Sequence, residues 1–307
     1  MLFGKKKNQK NGEEKKPVLE QDLSTQINPG AVFIMSLLMK RPPEMPDKEH
    51  MTTILQKHLG EIDCFAHDGK MAGAAVKKYT AEFKDASLPP QLFITIGSFD
   101  AGTIDELCRS QMWDCQNDRD RILSECKFQI IATDMLAATL LPHDRADMLM
   151  DYMEALAELF PECEAVYFHN SGKMFLAEDI RKHKIPRKDR FIYFAVNVRL
   201  FNIQGSDSMI VDTLGMSTLF LPDLQYHFYG MDPNQVVNHA YNMASYIFDN
   251  DNPIKNKDTI DGISDGKMNM QVQWQCHYED ALVQPARQVI DVYMNEHAAG
   301  QRNYEKN

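Results

Sequence analysis

Phe191-Ile192-Tyr193-Phe194-Ala195-Val196-Asn197-Val198-Arg199-Leu200-Phe201 is followed, after a polar loop, by Met209-Ile210-Val211-Asp212-Thr213-Leu214-Gly215-Met216-Ser217-Thr218-Leu219-Phe220-Leu221, and these two runs decide the fold. The first reads as a strand. Ile192, Phe194, Val196, Val198 and Leu200 make one apolar face, and Phe191, Tyr193, Ala195, Asn197, Arg199 and Phe201 make the other, the period of two that a pleated chain imposes. The second reads as a hairpin, Met209 to Thr213 and Met216 to Leu221, turning at Leu214-Gly215. Strand therefore follows strand with no helix between. A doubly wound nucleotide-binding fold requires regular strand–helix alternation, and that alternation is absent. The expected class is α+β, with mixed or largely antiparallel sheets and a few packed helices.

The same grammar extends in both directions. Downstream, Asp232-Pro233 opens a helix through Phe248 whose Val236, Val237, Ala240, Tyr241, Ala244 and Ile247 face inward, and strands near Gln271 to Cys276 and Arg287 to Tyr293 close the fold. Upstream, Ala31 to Met39 is a buried-strand run, and Pro46-Asp47 opens a helix ending at Gly60 with Met51, Ile54, Leu55 and Leu59 on one face. Strands follow at Ile62 to Ala66, within Ala74 to Phe83, and at Gln91 to Ile96, with short helices between 102 and 125. The succession then recurs: a strand at Phe128 to Thr133, a helix from Pro142 to Phe160, and a strand at Ala165 to His169. Phe65-Ala66-His67-Asp68-Gly69-Lys70-Met71 is echoed by Phe168-His169-Asn170-Ser171-Gly172-Lys173-Met174. Two pseudo-repeated β-α-β-β-β units account for the echo. Turn chemistry alone also accounts for it, because a third Gly266-Lys267-Met268 lacks the preceding helix. The expected division is a disordered Lys-rich tail at 1–29, an N-terminal unit at 30–126 and a C-terminal unit at 127–307.

The chain has 307 residues, 44% of them hydrophobic and 25% charged, which is globular composition. No apolar run approaches the length of a membrane span, and Met1-Leu2-Phe3-Gly4 runs into lysines rather than the apolar core of a signal peptide. The six cysteines form no C-x-x-C pair, so reduced thiols and a cytoplasmic location are expected. The net charge is −11 although residues 1–16 carry six lysines against Glu13 and Glu14, so the remainder is more acidic still. Such a body repels a phosphate backbone, and nucleic-acid binding is not expected. The tail allows weak contact with an anionic membrane surface, at about 1 kcal/mol per basic residue.

Motifs for common chemistry are missing. Neither G-x-x-x-x-G-K-[ST] nor G-x-G-x-x-G occurs, and neither does G-x-S-x-G or H-E-x-x-H. The densest polar set in an apolar frame is Asn197, Arg199, Asp212, Thr213, Asp223, Gln225, His227 and Asp232. Asn197 and Arg199 point to one face of their strand, where they would clamp a carboxylate or phosphate. The structural alternative is an Arg199–Asp212 pair across a sheet. In Leu221-Pro222-Asp223-Leu224-Gln225-Tyr226-His227-Phe228, an extended chain puts Asp223, Gln225 and His227 on one face. That face would orient His227 as a general base beside Asp223, or hold a metal with His239. Asn197, Arg199, Gln225 and His227 are thus the ligand-binding candidates and Asp212, Asp223 and His227 the catalytic ones, with no metal or cofactor expected. Cys276 and His277 are adjacent, so strand alternation separates them as nucleophile and base. Trp113 is expected to plug the core, the alternative being an interface anchor.

The runs Asn197-Val198-Arg199-Leu200-Phe201, Asp212-Thr213-Leu214-Gly215, Leu221 to Phe228, Asp232-Pro233 and Pro285-Ala286-Arg287 resemble an uncharacterised bacterial family, DUF4261, over residues 190–295. The resemblance implies no reaction and transfers no catalytic residue. The expected function is a cytoplasmic, non-catalytic binding protein of bacterial type that recognises a protein partner or small ligand, the face at 191–201 and 222–228 being its site. The alternative is a hydrolase-like enzyme using Asp212, Asp223 and His227 with Arg199. Oligomeric state is not readable.

Overall fold

A computed structural model describes residues 32–300; the lysine tail, its expected membrane contact and the start of the first strand at Ala31 lie outside the described residues. The chain runs β1 (Ile34–Met39), α1 (Lys48–Leu59), β2 (Ile62–His67), β3 (Met71–Val76), a small hairpin of β4 (Ala81–Glu82) and β5 (Ser87–Leu88), then β6 (Gln91–Ser98). Next come α2 (Glu106–Ser110), α3 (Arg119–Glu125), β7 (Phe128–Met135), α4 (Pro142–Leu159), β8 (Ala165–Phe168) and β9 (Lys173–Leu176). The last part is α5 (Ala177–Lys182), α6 (Arg190–Ala195), β10 (Asn197–Asn202), β11 (Met209–Leu214), β12 (Asp223–Phe228), α7 (Pro233–Asp249), β13 (Thr259–Ser264), β14 (Lys267–Asp280) and β15 (Gln288–Tyr293). The fold is α+β.

Seven strands form the first sheet in the order β2-β3-β6-β7-β1-β8-β9. Its inner face carries Met35, Leu37, Ala72, Ala74, Leu92, Ile94, Ile130 and Ala132, packed on Met51 and Leu55 of α1 and on Leu149, Tyr152 and Leu156 of α4 in one core. Both helices form where the sequence places them. Asp47 accepts the His50 amide at 2.9 Å to start α1, and Gly60, at φ +79°, ends it. Each helix connects strands that run in the same direction, and each crossover delivers a hairpin, β2–β3 to one edge and β8–β9 to the other. The expected β-α-β-β-β units hold only through their first three strands: in the second, β9 is followed by helices α5 and α6, and β10 joins the other sheet.

The division at 126/127 does not follow the sheets. β7, β8 and β9 hydrogen-bond into the same sheet as β1 and β6, because β7 pairs with both of those strands. The second sheet begins only at β10, in the order β10-β11-β12-β15-β14-β13, with β12 and β15 parallel and every other pair antiparallel. Helix α7 makes the crossover and covers one face, with Val236, Ala240, Ala244 and Ile247 buried against Val211, Leu224 and Tyr226.

The run at 191–201 is not one strand. Arg190–Ala195 is helix α6, and the strand begins at Asn197. Apolar residues on every side of a short segment fit a buried helix as well as a strand, and the tertiary setting selects helix here. Lys173, fully buried, donates from Nζ to the carbonyls of Tyr193 at 2.6 Å and Val196 at 3.0 Å, so a lysine from β9 caps the end of α6. The hairpin expected at 209–221 is also displaced. β11 pairs with β12, and 216–219 is a 3-10 turn whose first amide, Met216, donates to Asp223 Oδ1 at 3.2 Å. Gly215 permits this corner, having φ +128° and a position where a Cβ would lie 2.6 Å from the Ala195 carbonyl oxygen.

Burial lowers the Lys173 ammonium to about 8, and Asp114 at 3.6 Å opposes that shift only partly. Between pH 8 and the ordinary lysine value the native state has released this proton while the unfolded chain still holds it. Stability from this site therefore rises with pH, by up to about 1.4 kcal/mol per unit. Urea titrations at pH 8 and pH 10 should show the wild-type advantage over Lys173→Met growing at the higher pH; an unchanged difference would refute the shift.

Candidate functional site

Strand register assembles the sequence-predicted residues into a row. Arg199 of β10 faces Asp212 of β11, Asp212 faces Gln225 of β12, Gln225 faces Asp291 of β15, and Asp291 faces His277 of β14. All five project from the face opposite α7, and all five are buried. The cover is the β14–β15 connection. Leu282 donates its amide to Gln225 Oε1 at 2.7 Å, and Arg199 Nη1 donates to the Gln284 carbonyl at 2.9 Å.

Arg287, at the end of that connection, ties the row to Asp223. Its Nε donates to Asp223 Oδ2 at 3.0 Å, while Nη2 donates to Asp212 Oδ2 at 2.9 Å and to the Thr213 carbonyl at 2.7 Å. Arg199 completes the cluster with Nε on Asp212 Oδ1 at 2.8 Å and Nη2 on Oδ2 at 2.5 Å. Asp223 Oδ1 also accepts the Thr213 hydroxyl at 3.1 Å. Burial pushes the Asp223 carboxyl up from its ordinary range, and Arg287 beside it pulls the other way. For Arg287, burial disfavours the charge, but Asp223 and Asp212 more than offset it and raise the guanidinium.

The arrangement brings together Arg199, Asp212, Asp223 and Gln225 and buries all four. Asn197 donates to the carbonyls of Gln111 and Ser171, both at 3.3 Å, which makes it a tie between segments. His227 is buried on the same face. His239 lies on the other side of the sheet, where Nδ1 accepts the Tyr226 hydroxyl at 2.9 Å and Nε2 donates to the Asp261 carbonyl at 2.8 Å, so it shares no metal site with Asp223 or His227. Burial depresses His239, and the bond to the Asp261 carbonyl opposes that shift. Among the described residues no cluster of three or more His, Cys, Asp or Glu is placed to hold a metal. Cys276 and His277 face opposite sides of β14, as alternation requires: Cys276 enters the core under α7 and His277 joins the row.

Open surface lies elsewhere. A cleft of 540 Å³ beside α1, α4 and α5 is lined by His58, Glu154, Glu158 and His183, with His183 Nε2 at 2.9 Å from Glu154 and His58 Nε2 at 2.8 Å from Glu158. More extensive is the outer face of the first sheet. Its β1-β8-β9 half is covered by residues 99–126, whose Phe99, Ile104, Met112, Ile122 and Leu123 pack on Leu38, Tyr167 and Met174. Among the described residues its β2-β3-β6-β7 half has no such layer. Phe65 is 48% exposed and Met135 52%, and Ile34, Met71, Phe93 and Ile131 share the surface. Gly73 lets Phe65 lie across it, since a Cβ there would meet the Phe65 ring at 2.8 Å, and Phe65 meets Phe93 edge-on at 5.7 Å. Trp113, expected in the core, is 47% exposed, and Trp274 is the buried tryptophan.

Sequence reasoning missed Arg287 as a network member, although it was quoted in a family-like run. It missed Gln111 and Asp291 as well, and it missed the open half-face. The signal for the last was present in Leu92-Phe93-Ile94, apolar on both faces of one strand.

The family model of a domain of unknown function, DUF4261, matches residues 212–293. The match runs from Asp212 in β11 to the end of β15, and so contains the carboxylates and Arg287 of the buried network. No curated protein and no solved structure matches the chain.

Arg287→Ala would leave Asp212 and Asp223 buried without their shared cation, at a cost of about 3–5 kcal/mol. Arg287→Met combined with Asp223→Leu should cost less than Arg287→Ala alone. Urea unfolding midpoints decide it, and a single variant within 1 kcal/mol of wild type, to order of magnitude, would show that the network is not a stabilising unit.

Proposed function

We propose that the protein is a non-catalytic binding protein of a bacterial cytoplasm that docks a protein partner on the open half of its first sheet. The observation that carries this is the one-sided cover of that sheet: residues 99–126 shield one half, while Phe65, Met71, Phe93, Ile131 and Met135 form a contiguous apolar surface on the other. Contiguous apolar surface of this kind marks association sites, and aromatic and methionine side chains are enriched at their centres. The net charge of −11 favours encounter with a basic partner. No helix among the described residues is long and apolar enough to cross a membrane.

This moves the binding face away from residues 191–201 and 222–228. It also weighs against a hydrolase built on Asp212, Asp223, His227 and Arg199. A general base must reach the proton it removes, and these side chains lie beneath the β14–β15 connection. A surface made only for docking needs none of them.

Phe65→Ser and Met135→Asp test the reading, with Asp249→Ala at the exposed end of α7 as the control. A partner retained by wild type and by the control should be lost with either patch variant, and the purified pair should weaken by about tenfold or more, the loss expected of a buried aromatic anchor. Equal affinity for all four proteins would remove this face as the docking surface.

A further inference from the structure

Strand register lays out the open half-face in rows. One runs Ile34, Thr133, Phe93, Gly73 and Ala66, the next Ser36, Ile131, Thr95 and Met71, and a third Met135, Gln91, Ala75 and Asp63. Asp63, on the edge strand β2, is the single charged residue in these three rows, in a chain with 25% charged residues. The sheet edges are poorer places to dock. β2 and β13 each end a sheet, and each carries a break in register, at 64/66 and at 261/262, of the kind that turns an edge away from a flat pairing partner. The β10 edge is taken by Gln111.

Charge and size then narrow the occupant. Two copies of net charge −11 repel at range, so they can touch only where no like charges are pressed together and none is stripped of water. The three rows meet that condition. A partner's cations, once in contact, would find only Asp63 there. Four strands at their usual spacing are about 19 Å wide, and the six to eight residues of each are about 20–27 Å long. Two such faces together cover about 900 Å² in flat projection, just under the ~1,200 Å² at which stable specific interfaces begin. A contact of that size makes a dimer that forms and parts with concentration.

We propose that a second copy of this chain occupies the open half-face, the two sheets stacking face to face about a two-fold axis with Phe65, Met71, Phe93 and Ile131 of each copy at the contact. Closed two-fold symmetry uses the same patch on both copies, and stacked sheets bring their side chains together across about 10 Å. The inference rests on reading that face as a docking surface and names its occupant when no other protein is present. Another protein then has to displace a copy of the chain itself.

Sedimentation velocity of the purified full chain between about 2 and about 200 μM tests this. The sedimentation coefficient should climb from monomer toward dimer across that range. Raising the salt to about 0.5 M should tighten the dimer severalfold, because screening removes the repulsion between acidic copies. Thr95→Glu should return the chain to monomer, and Met71→Glu on the neighbouring strand should do the same. Asn234→Glu, which adds the same charge at the start of α7, should leave the dimer intact. All three positions are exposed, and an unchanged urea midpoint shows that each variant folds. A monomer at every concentration, a dimer that survives both face variants, or one that salt loosens would overturn the proposal. No other protein is present in this experiment, so a monomeric wild type leaves the partner-capture result standing, and a failed capture leaves the dimer standing.

Discussion

Two arginines and two aspartates buried together impose the strictest constraint on this fold. Each charge taken out of water carries a desolvation cost of several kcal/mol, recovered only if all of its partners arrive with good geometry. Arg199, Asp212, Asp223 and Arg287 meet that condition through bonds of 2.5 to 3.0 Å. Satisfying them requires β10, β11, β12 and β15 in one register, with the β14–β15 connection closed over the face. A slip by one residue would turn Arg199 toward α7 and leave a charge in an apolar core. The cluster thus selects one arrangement of a sheet whose apolar face alone would tolerate several.

A second buried pair joins the sheets. Arg145 of α4 donates from Nε to Asp134 Oδ2 at 2.9 Å, on the first sheet, and from Nη1 to the Thr218 carbonyl at 2.5 Å, beside the second. Asp134 also accepts the Phe33 amide at 3.0 Å. Amide side chains finish what strands leave undone. Gln111 pairs with both backbone groups of Leu200 at the β10 edge, at 2.9 and 3.2 Å, and beside β1 Asn170 accepts the Ile34 amide and donates to the Val32 carbonyl. These ties fix the sheet junction and the polar row from within, while among the described residues half of the first sheet's outer face keeps exposed apolar side chains, Phe65 and Met135 foremost.

Local signals were readable wherever local chemistry decides. Asp47 and Gly60 bound α1 as capping predicts, and Asp232-Pro233 starts α7. Alternation put Asp223, Gln225 and His227 on one face, and Arg199 did find Asp212. The failures have physical causes. Phe191 to Ala195 is apolar, and what marks the segment as a helix is tertiary: Arg190 at its start pairs with Asp151 and Glu154 of α4, and the Lys173 ammonium caps its end. The boundary at 126/127 was drawn from repetition along the chain, whereas β7 is bound to β1 and β6 by hydrogen bonds that no sequence period records.

Composition, periodicity and caps determined the α+β class and most elements, because these depend on interactions within a few residues. They also picked out the polar residues at 197–227 as a group. Whether that group was a site or a packing network could not be settled locally, since the answer is the position of Arg287 and the 281–287 connection, more than fifty residues from His227 in the chain. Tertiary structure supplied what local sequence could not: it buried the polar row and paired its charges, and among the described residues it left half of one apolar sheet face uncovered, because burial and ion pairing depend on strands and connections far apart in the chain.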